Sequence, residues 1–361
     1  MSNVINNDDL IDNLLNGFSN IKINDNKINK NKGFIIFTKL CKKYLNKLHN
    51  LESIVYEGII INYQIIKIFE DNTIRNNNDK NNKIRENIII AIVNNKIPKE
   101  YYILSYFWNN LKNKLFDILN IIFNNNLIDL ECKKAGGRNK NYDFLISILD
   151  NDNKKINKKI EFKFNCEKID KCPQFLSLST KFNTNYTDIF YDNYLPQISK
   201  LYNIEIISKS LYNKHIYQTI YNKNIFFKDL YDNETKYIKE KKIIVDDSID
   251  YYLKNNADKI DIIQLNNKFN ESQIDKIYIL YSIKEKKFFI DRLTDNELTL
   301  TGKFILEKNK QNYINKIIYE TKYLTSQIHM LLRWRNHAGI LNPAWQISIV
   351  RNYTYSCPCS F

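Results

Sequence analysis

The sequence predicts an α/β protein in which a long helix is followed by an antiparallel strand meander. Apolar residues recur at helical spacing over 101–123, YYILSYFWNNLKNKLFDILNIIF. Over 142–148 and 160–164 they alternate with polar residues, which is typical of strands with one buried face. The polar run 150–159 between these two segments predicts a hairpin loop. The length of 361 residues predicts one large or two ordinary domains, and the apolar content of 43% is enough for a sizeable core.

The first 98 residues are predicted to form an Asn-rich helical region. Apolar spacing predicts a helix over 34–48, and the polar run 72–82 predicts a loop or linker. Pro98 suits the start of the next helix, with Glu100 in its first turn. That helix is the one that leads into the meander.

The remaining elements follow from the same patterns. LIDLEC (127–132) predicts the first strand of the meander, and AGGRNKN (135–141) predicts a turn at two adjacent glycines. Later in the chain we expect a helix over 191–203, a strand pair over 276–282 and 286–293, a helix over 311–327, and an alternating segment over 328–337.

Composition favours a polyanionic partner inside the cell. Lys and Arg number 54 against 40 acids, a formal charge of +14, which attracts nucleic acid. An AT-rich genome would also enrich Lys, Asn and Ile, and such a composition suits a viral or low-GC source.

Six cysteines show neither C-x-x-C nor zinc spacing. MSNVINNDDL does not resemble a signal peptide, and no apolar run approaches the ~18 residues of a membrane span. We therefore expect a soluble, intracellular protein with no membrane partner.

One set of residues in the predicted meander is suited to catalysis. Asp143 heads the second strand of the meander, and Glu161 and Lys163 share the polar face of the third. Two carboxylates and a backbone carbonyl, here that of Phe162, suit a hard cation such as Mg²⁺. A lysine beside them can orient an attacking water. Acid-x-lysine tripeptides recur along the chain, so the alternative is a turn acid and a solvated cross-strand face.

These residues resemble the PD-(D/E)xK nuclease superfamily, whose restriction-endonuclease-like core is a helix, a three-strand antiparallel meander, a second helix and a fourth strand. The resemblance covers 99–210 and extends toward 290. It implies that Asp143 and Glu161 bind Mg²⁺, for which Mn²⁺ substitutes, and that Lys163 assists the water. Tyr142 stands where the motif name has proline. The predicted fold class is thus α/β, with this core between a helical amino-terminal and a mixed carboxy-terminal region.

The resemblance also implies accessory side chains. Some members add a carboxylate from the first helix, for which Glu100 and Asp117 are the candidates. Others carry a glutamine after the lysine, for which Gln174 and Gln197 are the candidates.

A basic carboxy-terminal region is predicted to hold nucleic acid. In 328–337 the apolar residues alternate with a basic face suited to phosphates or base edges, formed by His329, Arg333, Arg335 and His337. Arg138, in the glycine turn beside Asp143, is a further phosphate contact. The alternatives are a structural strand with a solvated basic face and an ordinary turn residue.

The sequence thus predicts three regions: 1–98, a nuclease core over 99–293, and a nucleic-acid-binding region over 294–361. The predicted activity is Mg²⁺-dependent, site-specific hydrolysis of DNA, as in a type II restriction or selfish-element endonuclease, by a homodimer. One alternative is an RNA endonuclease of the same fold, which the lack of histidine between His49 and His215 disfavours. Another is a non-catalytic nucleic-acid-binding or virion protein on a decayed nuclease fold.

Overall fold

The computed structural model describes residues 51–70, 78–135, 141–180, 185–217, 224–324, 326–336 and 341–351. Within them the chain is mixed α/β, as predicted, and forms two compact units. Unit 1 contains the described residues up to Glu167 together with Ile277–Ile290. Unit 2 contains Lys168–Lys276 and the described residues from Asp291 onward.

The strands, in chain order, are β1 (Ile54–Tyr56), β2 (Ile59–Ile61), β3 (Glu131–Lys134), β4 (Phe144–Leu149), β5 (Lys155–Phe164), β6 (Leu176–Ser179), β7 (Lys276–Ser282), β8 (Lys287–Asp291), β9 (Leu300–Lys308), β10 (Ile314–Thr321), β11 (Ser326–Asn336) and β12 (Leu341–Arg351).

The α-helices are α1 (Asn78–Val93), α2 (Lys99–Leu104), α3 (Tyr106–Ile122), α4 (Tyr186–Asn193), α5 (Leu195–Tyr202), α6 (Lys209–His215), α7 (Ile225–Asp232), α8 (Ile238–Asn256), α9 (Ile262–Gln273) and α10 (Asp295–Leu298). Short 3₁₀ segments span Tyr63–Phe69, Ile169–Lys171 and Ala257–Lys259. Among the residues described, none of these helices combines the length and apolar character needed to span a bilayer.

Unit 1 is built on a five-stranded sheet in the order β3-β4-β5-β7-β8. The first three strands form the predicted antiparallel meander, in which Lys134 pairs with Phe144 and Phe144 pairs with Ile160. The buried face of β4 holds Phe144, Ile146 and Ile148, as the alternation predicts. These side chains join one hydrophobic core with the last two turns of α1 and the apolar face of α3.

The predicted long helix over 101–123 is two helices. Ser105 between α2 and α3 has extended backbone angles, and its hydroxyl accepts a hydrogen bond from the Trp108 amide at 3.2 Å. A serine in this position caps the new helix by satisfying one of its free amides. From α3, Trp108, Leu111 and Leu115 are buried at the spacing of one helical face.

The amino-terminal region differs from the helical prediction. Its described residues include the β1–β2 hairpin, and α1 starts at Asn78, inside the predicted loop 72–82. The helix predicted over 34–48 lies outside the described residues, as does most of the glycine turn 135–141. The meander loop is also shorter than predicted, because β5 begins at Lys155.

Unit 2 is built on an antiparallel sheet in the order β6-β12-β11-β10-β9. The segment 311–327, predicted as a helix, is instead β10 and the start of β11. The prediction was wrong because the spacing of Ile314, Ile317 and Ile318 fits a helix as well as a strand. The strand forms because β10 pairs with β9 on one edge and with β11 on the other. In β11 the apolar members of the alternation, including Trp334, are buried as predicted.

The predicted helix over 191–203 corresponds to the end of α4 and to α5, and the predicted strand pair corresponds to β7 and β8.

The two units divide the chain differently from the three regions predicted from sequence. Residues 168–276 group with the carboxy-terminal strands rather than with the meander, because their helices pack with the β9–β12 sheet, as α8 does on β10.

Candidate active site

Asp143 is fixed at the edge where β3, β4 and β5 meet. Its amide donates to the Ile160 carbonyl at 2.9 Å, and its own carbonyl accepts from the Ala135 amide at 2.8 Å. Its carboxylate oxygen Oδ2 accepts from the amide of Phe162 at 2.9 Å. Because Phe162 separates Glu161 from Lys163, this bond places the Asp143 carboxylate against the middle of the Glu161-Phe162-Lys163 tripeptide.

Glu161 and Lys163 form an ion pair on one face of β5. Lys163 Nζ donates to Glu161 Oε1 at 2.6 Å. The two side chains are only 13% and 24% exposed respectively, while Ile160 and Phe162 on the opposite face are buried in the core. The pair is therefore largely withdrawn from water, unlike the solvated cross-strand face considered from sequence.

Glu86 on α1 is a third carboxylate near this site, and the sequence analysis missed it. The pKa of Glu86 is raised to about 7, chiefly by burial and next by the charge of Asp143, while the charges of Lys134, Lys163 and Lys83 act to lower it. The neighbouring Asn87 accepts a hydrogen bond from Lys134 Nζ, at the end of β3, at 2.8 Å, and the charges of Asp143 and Lys163 act on the pKa of Glu86. The one signal in the sequence is a single acid two residues before the apolar run 88–93.

The accessory candidates predicted from sequence are on other elements of the chain. Glu100 on α2 and Asp117 on α3 are both exposed, so the helix carboxylate coupled to Asp143 is Glu86 rather than either of them. Gln174 and Gln197 belong to unit 2, and the Gln197 amide is bonded to the Asn193 carbonyl at 3.0 Å.

The donor set at the Asp143 edge fits a hard divalent cation. Among the residues that the structure describes, no three His, Cys, Asp or Glu side chains are grouped as a ready metal site. The predicted set needs only two carboxylates and the carbonyl of Phe162. Oxygen donors of this kind suit Mg²⁺, and the repulsion between Glu86 and Asp143 is a cost that a cation relieves.

The predicted nucleic-acid face is only partly described. Arg333 is exposed on β11, and the backbone of Arg335 lies in the same strand, but the Arg335 side chain, His337 and Arg138 lie outside the described residues. His329 is half-buried. Burial, assisted by Lys316, lowers the pKa of His329, and its buried Nε2 has no hydrogen-bond partner in the described part of the chain. At neutral pH His329 is therefore an uncharged member of a face predicted to be basic.

Arg351, the third arginine of the carboxy-terminal segment, is committed to a structural role in unit 2. Its guanidinium makes a two-pronged contact with Asp291 at 2.8 and 2.9 Å and bonds Glu297 at 2.5 Å. All three side chains are less than 15% exposed. Neighbouring carboxylates raise the pKa of Arg351 despite its burial.

Unit 2 also contains a cavity of about 480 Å³ beside α8 and strands β10 and β11. Its walls are mostly apolar, with Ile238, Val245 and Ile249 on the helix side. Lys241 lines it, is 4% exposed and donates to the Glu234 carbonyl at 3.1 Å. Burial lowers the pKa of Lys241. The cavity therefore contains a cation held by a neutral acceptor.

No protein-family model matches this chain, and a search of curated proteins finds none with a significantly similar sequence.

Proposed function

We propose that the chain is a metal-dependent endonuclease that hydrolyses phosphodiester bonds in DNA. The observation that carries the proposal is the hydrogen bond from the Phe162 amide to Asp143, which joins the lone acid to the acid-x-lysine tripeptide. The element order supports it. In unit 1 helices precede the β3–β4–β5 meander, further helices follow in the chain, and β7 then adds beside β5. A restriction-endonuclease-like core has a similar order of elements along the chain, and this similarity supports the proposal.

In this proposal Asp143, Glu161 and the carbonyl of Phe162 would hold the cation, and Glu86 on α1 would add negative charge near Asp143 without being a third carboxylate ligand. Bound Mg²⁺ supplies charge neutralisation for the phosphate and the leaving oxygen. Lys163, positioned by its bond to Glu161, orients the attacking water and takes part in removing its proton. The water oxygen bonds to phosphorus, the P–O bond to the leaving strand breaks, and the leaving oxygen gains a proton.

DNA is the substrate favoured by the chain's charge and residue types. The formal charge of +14 suits a polyanion. No histidine occurs between His49 and His215 in the sequence, which favours DNA over RNA because RNA endonucleases of this fold often place a histidine near the metal. A site-specific enzyme that cuts both strands would act as a homodimer, because one active site cuts one strand.

The test is cleavage of plasmid DNA and of single-stranded RNA with Mg²⁺, Mn²⁺ or EDTA. Wild type is compared with Asp143→Asn, Lys163→Ala and Lys287→Ala. Lys287 is the matched control, since it is an exposed lysine of another acid-x-lysine tripeptide in unit 1, on β8. We expect metal-dependent DNA cleavage that falls by about 10²-fold or more in the first two variants and is unchanged in the third.

Discrete DNA fragments would indicate sequence recognition, and RNA-only cleavage would replace DNA by RNA as the substrate. Equal cleavage by wild type and both active-site variants would assign the activity to a contaminant. Absence of cleavage, with salt-sensitive DNA binding equal in all proteins, would leave the alternative of a non-catalytic nucleic-acid-binding protein.

A further inference from the structure

The β9 strand lies at an edge of the unit 2 sheet and pairs with β10 on its other side. The helix α9 covers the start of this strand, where Asn266 Oδ1 accepts a hydrogen bond from the Leu300 amide at 2.9 Å and Ile262 lies beside Gly302. Three of the six side chains in the rest of the strand, 303–308, are exposed. An open edge of this kind is a template for pairing with another strand.

The backbone of 303–308 directs hydrogen-bonding groups to this edge. At the turn into β10, the Asn309 amide donates to the Tyr313 carbonyl at 2.8 Å and so faces β10. The amides of alternate residues in a strand point to the same side, so the amides of Phe304 and Leu306 point away from β10. These groups can bond a further strand that lies antiparallel to β9.

The side chains of β9 are complementary to a second copy of the same strand. When two copies pair antiparallel with Ile305 opposite Ile305, Lys303 of each copy lies opposite Glu307 of the other. On the other face, Phe304 of each copy lies opposite Leu306 of the other. Ile305 is 62% exposed, and Phe304 and Leu306 are half-buried, so each gains apolar cover from this pairing. The pairing therefore matches apolar residues with apolar residues and opposite charges with each other.

The charges of β9 favour this register over its neighbours. Lys303 is exposed, and no ion pair is recorded for it in the described part of the chain. The Glu307 side chain is 44% exposed and uses only Oε1 in its bond with Lys316 at 2.5 Å. A shift of two residues sets the apolar Ile305 against a charge. A shift of four sets Lys303 against Lys303 or Glu307 against Glu307, and like charges directly opposite are destabilising.

We propose that the segment 303–307 of β9 binds the same segment of a second copy of this chain, so that the two unit 2 sheets join into one. Because each copy presents the same segment, the contact has two-fold symmetry and closes at two copies. The inference goes beyond the proposed nuclease function, which calls for a homodimer but assigns no interface to it.

The experiment measures oligomeric state by sedimentation velocity and light scattering over a range of protein concentrations, without DNA or metal. The full chain is compared with Lys303→Glu, Glu307→Lys and the control Lys308→Glu. Lys308 is an exposed lysine of the same strand, but in this register it lies opposite Gly302, which has no side chain. We expect a wild-type dimer whose Kd rises about tenfold or more in either of the first two variants, because two attractive pairs become repulsive. The control should match wild type.

The two charge-reversed variants should rescue each other. In an equimolar mixture of Lys303→Glu and Glu307→Lys, each chain supplies the charge that the other has lost. A heterodimer should therefore form with an affinity well above that of either variant alone. Combining both substitutions in one chain should also restore the dimer. Since a misfolded chain cannot rescue its partner, this result separates loss of the contact from loss of the fold.

The inference is overturned by a wild-type chain that stays monomeric up to about 100 µM. It is also overturned by a dimer that neither charge reversal weakens, which would place the interface elsewhere, or by a mixture of the two variants that forms no heterodimer. Assembly beyond two copies would contradict a two-fold contact. Because no step uses nuclease activity, failure of DNA cleavage would reject the nuclease proposal and leave this result unchanged.

Discussion

Glu86→Gln should make unit 1 more stable above neutral pH. The folded state raises the pKa of Glu86 from 4.5 to about 7. The folded protein therefore holds a proton on Glu86 that the unfolded chain has lost between these two values. Since the unfolded state then binds fewer protons, stability falls as pH rises through this window. Each pKa unit corresponds to 1.36 kcal/mol, so about 3 kcal/mol of stability is lost between about pH 4 and pH 8.

Glutamine resembles the protonated side chain and does not ionise. The variant should therefore match wild type near pH 4 and exceed it by about 3 kcal/mol at pH 8. The measurement is hydrogen exchange in the α1 segment 88–92, whose apolar residues are buried in the unit 1 core, corrected for the pH dependence of intrinsic exchange. Glu100→Gln, at an exposed position on α2, serves as the control.

The reasoning would be refuted by wild type and Glu86→Gln showing parallel stability profiles from pH 4 to pH 8. A variant less stable than wild type at pH 8 would refute it as well, because it would mean that ionised Glu86 makes a net favourable contact. Adding Mg²⁺ at pH 8 supplies a separate check on the cation. Bound Mg²⁺ should stabilise wild type more than Glu86→Gln, since it relieves a repulsion that the variant lacks.

Three further predictions concern stability. Arg351→Met should cost unit 2 about 3–5 kcal/mol in urea unfolding, because Asp291 and Glu297 would be left largely buried without their cation; an unchanged midpoint would contradict this. Asn94→Ala should cost unit 1 about 2 kcal/mol, since the Asn94 amide bonds Tyr56 Oη and both backbone groups of Cys132 at 2.8 Å. A loss no greater than that of Asn113→Ala, at an exposed position within α3, would count against it. Lys241→Met should raise the thermal midpoint at pH 7, because burial disfavours the charged lysine. A lower midpoint would show that the Glu234 carbonyl and the Tyr202 ring, 5.8 Å from Nζ, stabilise the ammonium by more than its burial costs.

The meander could be predicted because its apolar residues recur with the two-residue period of a strand and fit no helical period. In β4 and β5, residues of one face are apolar over several repeats, and those residues are buried in the structure. The same clarity predicted β11. The segment 311–327 failed because its isoleucines fit both periods, and only pairing with β9 and β11 decides between them. Local sequence predicts a strand when the apolar residues fit only the strand periodicity. When they fit both the strand and the helix periodicity, tertiary contacts decide which element forms.

The acid-x-lysine tripeptide and Asp143 could be identified from sequence for a related reason. A short hairpin joins β4 to β5, so the register Phe144↔Ile160 follows once both strands are located. That register leaves Asp143 opposite Glu161, and the structure adds the Phe162 amide bond. The chemistry depends on two adjacent strands whose pairing is local in sequence. Glu86 is different, since α1 is separated in the chain from the meander.

The position of Glu86 depends on its neighbour Arg85. Arg85 is 1% exposed, donates to the Ile68 carbonyl at 2.9 Å and places its guanidinium 3.4 Å from the ring centre of Phe164. Phe164 directly follows Lys163 in β5, so this contact fixes α1 beside the tripeptide and brings Glu86 into electrostatic contact with Lys163 and Asp143. A buried arginine in an Asn-rich segment has no periodic signature. Arg85 donates locally to Asn82 at 2.8 Å, but the Ile68 carbonyl and the Phe164 ring are distant in the chain. The third carboxylate is therefore a product of tertiary packing, and a sequence pattern confined to one helix or one hairpin has no means of revealing it.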